Sequence, residues 1–380
     1  MQCDYFDAGR CRSCTLMGTP YAEQLADKEH RAATALAPVA PDLSWLESAR
    51  SPASHYRNKA KLVVAGRAGN PTLGILDERG RGVDLRRCGL YEPGLAATFD
   101  PLHRFVSDLG IEPYDVPGRR GELKYLIVTH SPDGEHLVRF VLRSERHLDD
   151  LRAALPQLSD ELPSARVVTV NLHPEHKAVL EGDTEVVLTE QALLPVRVGD
   201  TTLLLGPKSF FQTNTAVAAS LYRQARDWVD EADPAVVWDL YCGVGGFALH
   251  ATGPGRTVVG VETSAEAVEA ARASARRHTD AVGPASTGTL HFEVGDATTA
   301  TPSPAPDLVV VNPPRRGIGP QLAGWLEASS ARQVLYSSCN VDSLARDLAA
   351  MPSLRPLEGR VFDLFPQTRH TEVMVRLERR

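Results

Sequence analysis

The stretch that most constrains this chain is Val236-Val237-Trp238-Asp239-Leu240-Tyr241-Cys242-Gly243-Val244-Gly245-Gly246-Phe247-Ala248-Leu249. It reads as a buried strand, a glycine-rich turn and the start of a helix. Gly243, Gly245 and Gly246 tolerate positive φ and let backbone amides close on a ligand. A second apolar strand, Thr257-Val258-Val259-Gly260-Val261, ends in Glu262, whose carboxylate can accept hydrogen bonds from two ribose hydroxyls. The pattern predicts a nucleoside-cofactor cradle on a doubly wound parallel sheet.

Two cofactors suit these residues. Gly243-x-Gly245-x-x-Ala248, with an acidic residue about 20 positions on, fits the dinucleotide fingerprint of NAD. Asp239 instead favours S-adenosylmethionine, whose sulfonium and ammonium suit an acidic lip. Further along, Asp307-Leu308-Val309-Val310-Val311-Asn312-Pro313-Pro314-Arg315-Arg316-Gly317 reads as a fourth strand and its exit loop. The two prolines stiffen that loop and force Asn312 to be extended, its carboxamide standing over the methyl-donor pocket. Enzymes that methylate adenine nitrogens usually follow such prolines with an aromatic residue. An arginine here argues against that chemistry.

A chain of 380 residues suggests two or three domains. No run approaches 18 apolar residues and the start lacks a signal peptide's apolar region, so a cytoplasmic protein without membrane contact is expected. The net charge of -7 does not announce a nucleic-acid binder, yet between Arg50 and Cys88 nine Lys/Arg outnumber three acids. That excess suits either a phosphate-tracking patch or a solvated sheet face. Of six cysteines, Cys3, Cys11 and Cys14 crowd the first fourteen residues and Cys88 follows far on. In a cytosolic protein such a set argues for zinc or a [4Fe-4S] cluster rather than disulfides, and spacing alone does not separate the two.

In chain order, a polar alanine-rich helix is predicted over Tyr21–Leu36, stopped by Pro38 and Pro41. Strands follow at 61–65, 73–76, 123–129, 136–142, 166–172 and 185–188, with helices at 93–109 and 147–154, so antiparallel sheet should dominate from about 55 to 205. From Pro207 helix and strand alternate. A helix opens near Phe210-Phe211-Gln212-Thr213-Asn214 and runs to Trp228, with Gln212 and Asn214 placed to hold polar groups of a ligand; Asn214 could equally cap the helix. A helix over 264–278 follows Glu262. Asp296 ends a third strand, where its carboxylate can accept from an adenine amino group, and 297–306 reads as a loop. A fifth strand, Gln333-Val334-Leu335-Tyr336-Ser337-Ser338, delivers Cys339 and Asn340 to the carboxyl edge, where ligand and catalytic groups gather. There a thiolate can be exposed and stabilised, whereas a lone cysteine is more often inert. Glu372 begins an alternating strand in the last hairpin, so it points into the site or sits on the surface.

These motifs, together with Tyr56-Arg57-Asn58-Lys59-Ala60-Lys61 and Ala8-Gly9-Arg10-Cys11-Arg12-Ser13-Cys14, resemble the bacterial RNA uracil-C5-methyltransferases that use S-adenosylmethionine and carry an iron–sulfur cluster. The likeness spans nearly the whole chain and is greatest to the short members that act on 23S ribosomal RNA. The resemblance implies an α/β class I methyltransferase domain with a Rossmann-like doubly wound sheet, beside an antiparallel β-rich central domain with an N-terminal cluster-binding segment. It implies interleaved domains, 1–14 with 51–205 and 15–50 with 206–380, the helix within 15–50 packing on the catalytic part. By the same resemblance Cys3, Cys11, Cys14 and Cys88 bind [4Fe-4S]. By it too Gln212, Tyr241, Glu262 and Asn312 contact S-adenosylmethionine, Cys339 is the nucleophile and Glu372 the base; Gly243 and Asp296 join the expected cofactor site from the residue reading above. A longer relative carries an RNA-binding barrel before the cluster; with a cluster cysteine at position 3, none is expected here.

The chemistry agrees with that reading. Carbon 5 of uracil is too poor a nucleophile to attack a methyl sulfonium; thiolate addition at carbon 6 makes it an enolate that can. The C5 proton must then leave to a base. The expected partner is a hairpin loop of 23S ribosomal RNA, met by a monomeric enzyme. The alternatives are the transfer-RNA branch of the family, which lacks the cluster cysteines, a non-catalytic metal-containing RNA-binding protein, and an NAD-linked oxidoreductase. Cys339 and Glu372 together, beside Asn312-Pro313-Pro314, argue against the last two.

Overall fold

A computed structural model describes residues 1–177, 179–299 and 303–380. The chain divides into two compact units, Met1–Met17 with Ala53–Val196, and Gly18–Pro52 with Arg197–Arg380.

The first unit is built on a seven-stranded sheet in the order Gly82–Asp84, Asn70–Leu76, Lys59–Arg67, Leu123–His130, His136–Leu142, Ala165–Leu172, Thr184–Val187. Its pairs are antiparallel except His136–Leu142 with Ala165–Leu172, which run parallel. That pair needs a crossover, and the helix Leu148–Glu161 supplies it. This helix runs well past the expected 154, through Pro156. The helix expected over 93–109 breaks into Pro93–Ala96 and Phe99–Leu109. Phe99, Leu102, Phe105 and Val106 join Leu151 and Leu158 in a core with the sheet. Part of the basic excess is consumed locally: Arg81 pairs with Asp77 at 2.8 Å, and Arg86 bridges Asp84 at 3.0 Å and Asp100 at 2.7 Å.

The second unit carries an eight-stranded sheet in the order Ser44–Trp45, Leu354–Phe362, Glu372–Arg379, Gln333–Ser338, Leu308–Val311, Val236–Leu240, Thr257–Glu262, Thr289–Val294. Glu372–Arg379 runs antiparallel to both its neighbours and all other pairs are parallel. The central strands are near-continuous Val/Leu runs because helices cover both faces. From Val236–Leu240 the chain proceeds outward to Thr257–Glu262 and Thr289–Val294, then returns to Leu308–Val311 on the other side. The order therefore reverses between Val236–Leu240 and Leu308–Val311, and a crevice opens beyond their carboxyl ends. In the loop expected over 297–306, residues 300–302 lie outside the described residues.

The helix Tyr21–Leu36 belongs to this second unit and buries Leu25, Ala32 and Leu36. It also buries Lys28, whose Nζ donates to Asp363 Oδ1 at 2.6 Å and to the Phe365 carbonyl at 3.1 Å. Both side chains are fully buried, so each ion is stable only while the other is present. Gln24 reinforces the contact, accepting from Gln367 N at 2.8 Å. The loop leading into Glu372 is thereby anchored to an N-terminal helix.

Candidate active site

Sheet register builds the site. Leu240 lies level with Val261 on one side and with Val311 on the other, and Val311 with Tyr336. One step further toward the carboxyl edge this places Glu262, Tyr241, Asn312 and Ser337 in a row across four adjacent strands. Tyr241 leaves its strand with φ 67°, an uncommon conformation for a residue with a Cβ, and its ring is half-buried beside Asp296 and Arg316.

The three glycines of the turn do different work. A Cβ on Gly243, at φ 53°, would face open space, whereas one on Gly245 would strike Leu249 and Phe292 and one on Gly246 would lie 2.5 Å from the Tyr222 hydroxyl. Of the three, Gly243 faces open space; the other two are needed for close packing. The Gly243 amide donates to Glu262 Oε2 at 3.2 Å, while Glu262 Oε1 accepts from Thr263 and from the Ser264 amide. A carboxylate has roughly four acceptor positions, so acceptor capacity remains for sugar hydroxyls. Asp239 is completely buried; its Oδ2 accepts from the Ala248 amide at 2.9 Å, and among the described residues its Oδ1 has no partner. Burial pushes its carboxyl up to about 8. An orphaned carboxylate oxygen beside an open glycine fits a cationic, ribose-bearing cofactor such as an S-adenosyl compound.

The other expected cofactor residues are placed less uniformly. Gln212 is buried and Asn312 half-buried. Asp296 lies two residues past its strand, exposed, with Oδ1 accepting from the Thr298 amide and hydroxyl; those bonds hold its carboxyl below the usual range. Asn214 caps the helix Thr215–Ala232, accepting from Val217 N at 3.2 Å and donating to Ser51 at 2.8 Å.

Cys339 and Glu372 come together at the far side of the row. The strand Gln333–Ser338 ends one residue before Cys339, and its antiparallel neighbour begins at Glu372. Glu372 is not a surface glutamate: it is 2 % exposed, burial pushes its carboxyl up to about 7, and the Ser337 hydroxyl donates to its Oε1. Burial also raises the Cys339 thiol; Glu372 adds to this and the Arg315 guanidinium opposes it. Cys339 opens onto a cleft of about 140 Å3 lined by Lys28, Arg31, Arg315, Arg369, His370 and Asp342 among others. Cations outnumber acids there, as an anionic polymer requires. Asn340 fastens the cleft by donating from Nδ2 to the Arg315 carbonyl at 2.9 Å, and Arg346 by donating to the Arg316 carbonyl at 2.6 Å.

The sequence reading missed Ser337, Tyr222, Lys28 and the arginines of the cleft. Ser337 carried a usable signal, since residues two apart on a strand share a face and Cys339 is two residues on. Lys28 and Arg31 carried none, because only the tertiary fold brings residues so distant in the chain to the cleft.

In the first unit, Cys14 is buried and Cys3, Cys11 and Cys88 are half-buried, all free thiols. Burial, and then Cys88, Cys11 and Cys3, push the Cys14 thiol up to about 12; burial leads the rise at Cys88, where Cys3 and Cys11 add to it. Tyr5 draws the segments together, its hydroxyl accepting from the Arg87 amide at 3.3 Å. Among the described residues, no three His, Cys, Asp or Glu side chains already stand in a metal-ligating arrangement. The donor set nevertheless fits a thiolate-bound metal, since thiols that raise one another's pKa are the ones a cation would stabilise.

Comparison with known proteins gives the family. The chain is 47% identical over 383 residues to the 23S rRNA (uracil(747)-C(5))-methyltransferase RlmC of Halothiobacillus neapolitanus, covering 100% of both. It is 44% identical to the enzyme of the same name from Yersinia pseudotuberculosis, covering 99% of each. The chain belongs to the RNA uracil-C5-methyltransferases. A family model described as tRNA (Uracil-5-)-methyltransferase matches residues 303–380, the stretch carrying Asn312, Cys339 and Glu372. The fold matches that of Pyrococcus abyssi tRNA (uracil-54, C5)-methyltransferase in complex with S-adenosyl-L-homocysteine, with TM-score 0.76 and 23% identity, over 96% of this chain and 85% of that one. In this uracil-C5-methyltransferase no helix of the described residues is long and apolar enough to cross a membrane.

The two buried carboxyls make a prediction about stability. Both hold their protons more tightly in the fold than in the unfolded chain, so the stability they contribute is complete below the ordinary carboxylate range. It is lost as pH rises through about 7 for Glu372 and about 8 for Asp239. Glu372→Gln and Asp239→Asn should each stabilise the protein by on the order of 2–3 kcal/mol near pH 8.5, and much less near pH 5. Urea unfolding at the two pH values checks this; equal gains at both would contradict it.

Proposed function

We infer that this protein transfers a methyl group from S-adenosylmethionine to carbon 5 of a uridine in 23S ribosomal RNA. The observation that carries the reading is a cysteine beside a buried carboxylate, on the sheet edge that also holds the glycine turn and its acidic partners. The target is the uridine that corresponds to uracil 747 in the names of its relatives, read in a hairpin loop by a monomeric, cytoplasmic enzyme. The same two residues in an otherwise intact pocket leave a purely RNA-binding role without a purpose for them.

In this reading Glu262 holds the ribose, Asp296 receives the adenine amino group, and Gln212, Tyr241, Gly243 and Asn312 complete the cofactor site. When bound, S-adenosylmethionine supplies an electrophilic methyl. The thiolate of Cys339 adds to carbon 6 of uracil, and Arg315 opposes the neighbouring negative charge. Carbon 5 then takes the methyl. The Glu372 carboxylate removes the C5 proton, the electron pair restores the C5–C6 double bond, and the thiolate leaves. A carboxyl near 7 is well matched to a base that must be charged before this step and neutral after it.

Cys3, Cys11, Cys14 and Cys88 would hold a [4Fe-4S] cluster that ties the N-terminal segment to the loop around Cys88. What supports this is the mutual influence of their thiols.

Three tests follow. Glu262→Ala should weaken S-adenosylmethionine binding by about 1–3 kcal/mol in calorimetry; unchanged affinity removes Glu262 from the site. Cys339→Ala should neither methylate RNA nor form a covalent complex. Glu372→Gln should add and methylate but not eliminate, so a denaturation-resistant RNA adduct carrying the labelled methyl accumulates. Normal turnover by Glu372→Gln would remove it as the base. Protein purified without oxygen should be brown and contain iron, whereas stoichiometric zinc and no iron would refute the cluster.

A further inference from the structure

The strand Gln333–Ser338 does more than deliver Cys339. Two residues before the thiol, Ser337 is completely buried and its hydroxyl donates to Glu372 Oε1. Its register partner is Met374, two residues into the antiparallel strand that Glu372 begins. The nucleophile and a hydrogen-bond donor to the base thus ride on one strand, and the base rides on its neighbour.

We propose that Ser337 is a positioning residue that keeps Glu372 charged and aimed for the elimination step, and that it takes no part in methyl transfer. The proposal rests on Glu372 being the base, as proposed above. The surroundings of Glu372 make a donor necessary. From the strand Leu354–Phe362 it faces Phe362, an uncharged ring. The titratable groups that face it are Tyr222 on the helix Thr215–Ala232 and Cys339 at the strand end, and both are acids. Among the described residues no cation is one of them. Burial therefore favours the protonated carboxyl, which cannot accept a proton, and among the described residues the Ser337 hydroxyl is what opposes it.

The consequence is confined to one half-reaction. Addition of the thiolate to carbon 6 and attack of carbon 5 on the methyl use no proton acceptor at Glu372. Elimination does: the C5–H bond breaks, its electron pair forms the C5–C6 double bond, the C6–S bond breaks to release thiolate, and the proton passes to the carboxylate. Losing the Ser337 donor raises the carboxyl, so less carboxylate is present at neutral pH and only elimination slows.

The test is single-turnover kinetics of Ser337→Ala with RNA and labelled S-adenosylmethionine, following covalent adduct and released methylated RNA separately. Adduct formation should be no slower than in the parent, since a neutral Glu372 no longer opposes the Cys339 thiolate. The pH at which elimination is half-maximal, near the Glu372 value in the parent, should rise by about one unit, the size expected for losing one hydrogen bond to a charged group. At about pH 6.5 elimination should slow roughly tenfold and adduct should accumulate, while at about pH 9 the two proteins should converge. An unshifted limb, or an equal loss in both half-reactions, overturns the proposal. If Ser337→Ala does not fold, Ser337→Cys keeps the volume with only a weak donor and should shift the limb in the same direction; no shift there overturns the proposal too. Glu372→Gln, run alongside, separates the two claims. An adduct trapped by Glu372→Gln with an unshifted Ser337→Ala limb rejects only the role of Ser337. Normal turnover by Glu372→Gln rejects the base itself.

Discussion

Two strands, Val236–Leu240 and Leu308–Val311, lie side by side while the chain leaves them in opposite directions across the sheet. Helices that follow such strands must diverge, because each packs back over its own side with the same hand. Everything that reads as chemistry in the catalytic unit hangs from that divergence. The glycine turn closes one wall of the crevice, the Asn312 loop closes the other, and parallel register carries the row onward to Ser337. Cys339 and Glu372 follow because the next two strands continue the same edge, one parallel and one antiparallel.

The second theme is the deliberate burial of acids. Asp239, Glu372 and the partnered Asp363 are all at most 2 % exposed, where a bare carboxylate is costly. Each is resolved differently. Asp363 has a buried lysine. Asp239 has one backbone amide and one empty oxygen, which leaves it dependent on whatever cation arrives. Glu372 has one serine hydroxyl, enough to hold it near neutrality. The three carboxyls thus carry an ion pair, an open oxygen and a single neutral donor respectively.

Much of this was legible in the sequence, and the part that was not has a physical reason. The helix Tyr21–Leu36 and the strands His136–Leu142 and Gln333–Ser338 have the expected bounds residue for residue. The glycine turn and Glu262 stood out because close backbone approach leaves few residue choices. Burial of Glu372 could not be read, since an alternating strand start is the same string whether it faces solvent or a neighbouring strand. The three turn glycines also looked equivalent, and only the positions of Phe292 and Tyr222 separate the packing glycines from the open one. The strand Leu354–Phe362 was hidden by Pro356 and a register shift beside it. The polar cleft around Cys339 needed side chains from opposite ends of the chain.

That last point bears on how the protein is born. Lys28 and Asp363 are 335 residues apart, so a nascent chain emerging from a ribosome carries its helix Tyr21–Leu36 through a long stretch of further translation before the partner exists. Every strand and helix of the first unit has by then been translated, since its last residue is Val196, and domains generally fold as units once their residues are out. The second unit's sheet is different: its internal antiparallel strand Glu372–Arg379 is made after all its other strands, and the long loop closed by Lys28 carries the corresponding entropic delay. A chain translated only as far as Asn340 therefore has Cys339 but neither Glu372 nor Asp363 beside it. The edge that carries Cys339 is therefore complete only after the strand beginning at Glu372 has been made.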